Sequence, residues 1–245
     1  MRLLGKVTYK GTNYQGWQKQ PDAPSIQETI EKVLSQILNS EISIYGSGRT
    51  DAGVHAINQY FHFDVEKEVD LGKLRYSANC LLPNDVFITE IKPVSEDFHA
   101  RFSAKGKTYQ YLIRLGERNP LDYDLSSNIP YDIDVNLLSD VLKEFIGEHD
   151  FKDFTSKEED EKSFIRHVYS VDVIKKQESN QIEIIISGDG FMRYQIRNMV
   201  GCAIAVASGK ENSEFISYHL SNKKEREIVS YKAPANGLYL QDVNY

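Results

Sequence analysis

The chain has 245 residues, 40% hydrophobic and 27% charged, which allows one large domain or two modest ones with a buried core and excludes general disorder. Its net charge of −7 speaks against a uniformly basic nucleic-acid binder, but a local cationic cleft can sit among acidic outer faces. No apolar run approaches the roughly 18 residues that span a bilayer, the start Met1–Lys6 lacks a secretory leader's apolar stretch, and Cys80 and Cys202, far apart, are expected as reduced core thiols of a cytoplasmic protein.

In chain order, Arg2–Lys10 reads as a strand, followed by a polar and aromatic loop, Gly11–Gln18. Ser25 and Glu28 have capping-box spacing and open a helix whose apolar face is Ile26, Ile30, Val33, Leu34, Ile37 and Leu38. Strands are predicted over Ile42–Gly48 and Ile57–Val65, the latter with Ile57, Phe61 and Phe63 alternating against Asn58, Tyr60 and His62. A helix over Leu71–Leu81, stopped by Pro83, precedes a strand over Val86–Ile91. The second half repeats the pattern: a strand over Lys107–Leu115, a helix capped by Asp134 and running to Ile146, a hairpin of Val168–Ile174 with Gln181–Ser187, a helix over Met192–Ala207 and a last strand over Leu238–Val243. The acidic run Lys157–Lys162 reads as a solvated loop. The fold expected is α+β: two ferredoxin-like halves, 1–104 and 105–245, with antiparallel sheets joined into an extended central sheet and helices on the outer face.

Three segments can carry chemistry. In Gly48-Arg49-Thr50-Asp51-Ala52-Gly53-Val54-His55, glycines allow a tight turn that displays Arg49 and Asp51 at a strand end. An ionised Asp51 beside a guanidinium can serve as nucleophile or base; it can equally bond its own turn while Arg49 makes a routine ion pair. Between Phe98 and Tyr111, basic residues interleave with aromatics, as a site for phosphates and unpaired bases requires, although a half-buried strand with packed tyrosines gives the same pattern. Gly106-Lys107-Thr108 resembles the end of a P-loop, but Arg101 stands where its first glycine is required, which excludes triphosphate binding. Arg193 and Arg197, four apart, either grip phosphate or form a surface salt-bridge face.

Together these segments resemble the TruA family of tRNA pseudouridine synthases. The resemblance rests on Gly48–Ala56, on Tyr14–Gln18 with Ser25-Ile26-Gln27, on Arg101–Ala104 with Lys107–Tyr111, on Phe191-Met192 with Ile196–Gly201, and on Ala233–Leu240. It implies two α+β halves, a homodimer, tRNA as substrate, and target uridines at positions 38, 39 and 40 of the anticodon stem-loop. It gives Asp51 the role of catalytic aspartate, Arg49 a part in evicting the uridine and holding the site, Tyr109 the stacking on uracil and Arg197 the pairing with or orienting of Asp51. Gln18, His55, Arg101, Lys107 and Arg193 are expected at the substrate. The reaction neither oxidises nor transfers to an acceptor, so neither cofactor nor metal is expected. Arg193-Tyr194-Gln195 departs from the family's pattern.

Overall fold

Helix α1 (Ile26–Leu38) starts at Ser25, whose extended backbone lets its Oγ accept the Glu28 N–H at 3.3 Å. This is half of the expected capping box, because the Glu28 carboxylate pairs with Lys32 at 2.9 Å. Asn39 ends the helix in the left-handed region, φ 49. The computed structural model describes residues 1–156, 163–176, 178–221 and 225–245. The acidic run 157–162, expected as a solvated loop, lies outside the described residues. The chain divides into two compact α+β units, Met1–Lys105 with Tyr239–Tyr245, and Gly106–Leu238.

The first unit holds β1 (Arg2–Tyr9), β2 (Tyr45–Gly46), β3 (His55–Asp64), α2 (Leu71–Leu81) and β4 (Val86–Val94). Its sheet runs β4-β1-β3, antiparallel, with the ferredoxin-like interleaving of strands. β2 pairs with one end of the free edge of β3, at His62 and Phe61. The chain's last strand, β10 (Leu238–Asn244), lies parallel to the other end, with Tyr239 opposite His55 and Leu240 opposite Ala56. Leu3, Val7, Ile26, Ile30, Phe61 and Phe63 are fully buried.

Three expectations change here. The strand expected over Ile42–Gly48 shrinks to two residues, because the amides of Ile42 and Ile44 donate to α1 side chains, Ser35 Oγ at 2.9 Å and Glu31 at 3.0 Å, rather than to a ladder. In β3 the alternation fails at Ile57: Val7 faces Gln59 while Tyr9 faces Ala56, so β3 carries an extra residue there. The bulge turns Ile57 outward, 37% exposed, and buries Gln59 completely. Cys80 is exposed on α2, and only Cys202 is the buried thiol expected of both.

The second unit comprises β5 (Gly106–Leu115), β6 (Ser127–Ile129), α3 (Val135–Lys143), β7 (Gly147–Asp150), β8 (Ile165–Lys176), β9 (Gln181–Gly188), α4 (Gln195–Ala207) and α5 (Phe215–Leu220). Its sheet runs β5-β9-β8-β7, antiparallel, with β6 parallel to β5. Asp134 caps α3 by accepting the amides of Asn136 and Leu137 at 2.9 and 3.0 Å. The helix ends at Lys143, short of Ile146, where the amides of Phe145 and Ile146 switch to carbonyls three residues back. Helix α4 starts at Gln195, not Met192, because Tyr194 before it is left-handed, φ 64. Among the described residues no helix is long and apolar enough to cross a membrane.

Candidate active site

The Arg49–Asp51 segment leaves the short β2 and returns into β3, and main-chain bonds fix it from both sides. The Gln59 Nε2 donates to the Gly48 carbonyl at 2.9 Å, and the Ser47 Oγ is bonded to the same Gln59. This gives the buried Gln59 its function: the bulge places an amide where it holds the loop's first residue. The Trp17 N–H donates to the Thr50 carbonyl at 3.1 Å, and the Gly53 N–H to the Tyr14 carbonyl at 3.2 Å. Tyr9 Oη and Thr50 Oγ1 are bonded at 2.8 Å. The turn after Asp51 is closed by the Val54 N–H on the Asp51 carbonyl at 3.1 Å, with Gly53 at φ 76.

The N-terminal Gly11–Gln18 segment is therefore the other half of this loop. Gly16 sits at φ 92, and a Cβ there would lie 2.3 Å from the Thr50 carbonyl oxygen. Only glycine allows that approach. Tyr14 and Asn13 anchor the segment below, donating to Asp85 at 2.7 and 3.2 Å. Burial and the bond to Asp85 raise the Tyr14 hydroxyl well above its ordinary range.

Arg49 is exposed, and its Nε donates to Gln18 Oε1 at 3.1 Å. Gln18 donates to Gln27 at 3.0 Å, and Gln27 to Glu31 at 3.0 Å. Gln27 and Glu31 are one turn apart on α1, so the helix carries a relay of side-chain bonds to the guanidinium. Sequence reasoning placed Gln18 at the substrate but missed Gln27 and Glu31. Their spacing of four on the polar side of α1 was the available signal. His55 is buried, its Nδ1 accepts the Gly11 N–H at 2.9 Å, and its ring stacks on Tyr239 at 4.6 Å. An accepting Nδ1 leaves Nε2 as the position for the neutral ring's proton.

Arg101, in the same unit, is exposed, its guanidinium 5.6 Å from the centre of the Phe102 ring, which is itself 76% exposed. The turn bearing them is tied down by the Ala100 N–H, which donates to His62 Nδ1 at 3.1 Å. Burial, with nearby His99 and Arg2, pushes the His62 pKa down to about 4, so that this acceptor stays neutral.

In the second unit, β5 carries Lys107 and Tyr109, both half-buried. Tyr109 meets Phe191 edge to face at 5.4 Å. Tyr111, two residues on, is core: it is 1% exposed, its hydroxyl donates to the Pro234 carbonyl at 2.9 Å, and burial raises its pKa. Arg197, in the first turn of α4, donates through Nε to the Ala233 carbonyl at 2.8 Å. Arg193 precedes the helix, but it and Arg197 still share one partner, the ring of Tyr194, at 4.8 and 5.4 Å.

A family profile described as tRNA pseudouridine synthase matches residues 7–103 and 141–245. Among curated relatives, the chain is 34% identical over 246 residues to a tRNA pseudouridine synthase A of Streptococcus uberis, covering 100% of this chain and 98% of that one. It is 35% identical over 247 residues to that of Streptococcus mutans, covering 100% and 99%. With that of Staphylococcus carnosus the identity is 36% over 244 residues, covering 99% and 90%.

Proposed function

The chain belongs to the tRNA pseudouridine synthase family, a family of isomerases, and on that premise we propose that it converts uridine to pseudouridine in the anticodon stem-loop of tRNA, at positions 38, 39 and 40, with Asp51 as the catalytic carboxylate. The observation that carries the assignment is the double anchoring of the Asp51 loop, by Gln59 from the bulged strand and by Tyr14 and Trp17 from the N-terminal segment. A carboxylate that must meet one sugar carbon needs such a fixed backbone.

The reaction breaks the N1–C1′ bond, turns the uracil and forms a C5–C1′ bond. The C5 hydrogen leaves as a proton and N1 gains one, so atoms and electrons balance without an acceptor. Attack of Asp51 on C1′ and removal of the 2′ proton both require the carboxylate ionised. The uridine must first leave its stack, at a cost of a few kcal/mol. Arg49, held by Gln18, is proposed to fill the vacated space. Tyr109 offers a ring face to uracil, and Arg197 is assigned to pairing with or orienting Asp51, its charge also favouring the detached, negatively charged base. Gln18, Arg101, Lys107 and Arg193 are assigned to the RNA, and His55 to bracing the loop. The working form is proposed to be a cytoplasmic homodimer, which light scattering on the purified protein tests.

The deciding experiment uses unmodified tRNA tritiated at uridine C5. Tritium release to water by the wild type and none by Asp51→Asn, with tRNA affinity retained, is the expected result. Full release by Asp51→Asn overturns the catalytic assignment. Tight binding without release by the wild type, across tRNAs bearing U38, U39 or U40, overturns the enzymatic one.

A further inference from the structure

The charges around Tyr194 are arranged as a protein arranges them for an anion. Three cations converge on this one ring: Lys232 Nζ at 4.4 Å, the Arg193 guanidinium at 4.8 Å and the Arg197 guanidinium at 5.4 Å from its centre. Significant cation–π pairs occur about once per 70–80 residues, so three on one ring is a local concentration of positive charge. Arg193 also donates to the Tyr194 hydroxyl at 2.9 Å. Among the described residues no carboxylate pairs with Arg193 or with Lys232, although the chain as a whole carries seven more acidic than basic side chains, 36 against 29. The cluster stands at the first turn of α4, where the helix dipole adds positive potential and cations are ordinarily disfavoured.

The backbone is shaped for the same arrangement. Tyr194 is left-handed, φ 64 and ψ −2, which is strained for a bulky side chain. The strain is held from both sides: Thr155 Oγ1 donates to the Arg193 carbonyl at 3.0 Å, and the Asn198 N–H donates to the Tyr194 carbonyl at 2.8 Å. Ala233, next to Lys232, is tied to Arg197 in both directions, its N–H to the Arg197 carbonyl at 2.9 Å and its carbonyl to the Arg197 Nε at 2.8 Å. Residues distant in sequence are thus locked so that their positive ends share one ring.

We infer that Arg193, Tyr194 and Lys232 form a grip for a backbone phosphate of the substrate RNA, with Tyr194 as the plate that gathers the cations. The inference rests on the tRNA-modifying reading given above. Of its residues, Lys232 was not singled out by the sequence, and Tyr194 only as part of a departure from the family's pattern.

The test measures binding of a fluorescein-labelled, unmodified tRNA transcript against salt concentration, for the full chain and its variants. Arg193→Gln and Lys232→Gln each lower the slope of log affinity against log salt, and the double variant lowers it by about 1, as expected for the loss of one phosphate contact. Tyr194→Leu keeps both charges but lowers the slope as well, because the plate is gone. Lys143→Gln, at an exposed lysine paired with Asp140 at 3.7 Å, keeps the wild-type slope. Wild-type slopes in both Arg193→Gln and Lys232→Gln overturn the inference, as does an equal fall in Lys143→Gln. So does a site that takes only small anions: thermal stabilisation of the wild type by inorganic phosphate, lost in the double variant, with the tRNA slope unchanged. If the wild type releases tritium while these slopes stay flat, the phosphate grip alone is wrong. If the wild type neither binds tRNA nor releases tritium, the function itself is wrong.

Discussion

The Asp51 loop and the start of α4 are both short segments that display charge, and they are built by opposite means. The bonds that hold the backbone of the Asp51 loop are neutral: carbonyls and amides from Trp17, Tyr14 and Gln59, closed by a glycine that fits against Thr50. Around Tyr194 the holding contacts gather like charges onto a strained residue. Neutral bonds fix a position, whereas cations gathered on one ring add positive potential there. Changes in the first region should therefore alter rate and leave the salt dependence of tRNA binding alone. Changes at Arg193 and Lys232 should do the reverse.

The sharpest attempt to break this contrast is Asp51→Asn. It should lower turnover by on the order of 10⁴ or more in the tritium-release assay while the slope of tRNA binding against salt stays at the wild-type value. A fall in slope of the same size as in Lys232→Gln would show that the loop also acts through charge. Next is Gly16→Ala, which forces a Cβ into the Thr50 carbonyl at positive φ. It should cost about 2–3 kcal/mol in urea unfolding, with tRNA binding per folded molecule unchanged. Gln27→Leu breaks the relay to Arg49 at its middle. Turnover should drop about tenfold, the worth of one hydrogen bond to a charged group's support, again with an unchanged salt slope.

The smallest effect expected is from His62. Its folded pKa of about 4 lies below the 6.5 of an exposed histidine, so between those values the unfolded chain binds the extra proton. Stability from this group is complete above pH 6.5 and is lost as pH falls toward 4. Allowing for solvent screening, the difference at pH 5 is about 1 kcal/mol. His62→Gln should remove that part of the acid sensitivity, read as the difference in urea midpoints between pH 7 and pH 5 for the two proteins.

Much of the fold was legible because side-chain periodicity reports which face is buried. The α1 face of Ile26, Ile30, Val33 and Leu34, the Asp134 cap and the β8–β9 hairpin all stand where spacing put them. The failures have physical causes that side-chain spacing does not carry. Ile57 faces outward because of a bulge, and no local pattern encodes an inserted residue. The strand expected over Ile42–Gly48 lost most of its length to side chains of α1. Met192–Tyr194 fell outside α4 because one residue turned left-handed. In the candidate site, the sequence displayed the Asp51 loop and the arginines. It could not display the clamp from Gly16, the amide from Gln59 or the meeting of Lys232 with Tyr194, each of which joins segments that local spacing does not connect.

The return of Tyr239–Tyr245 to the first unit has a consequence for how the molecule is made. A ribosome delivers Met1–Lys105 early, but Tyr239, which stacks on His55, and Tyr245, whose hydroxyl donates to the Ala100 carbonyl at 2.8 Å, emerge only after all of Gly106–Leu238. The unit carrying Asp51 thus waits, incomplete, while the later unit has its whole sequence in hand. A nascent chain stalled before Tyr239 would hold the loop's residues without the strand that closes their edge, so the Asp51 segment is completed last although it is translated early.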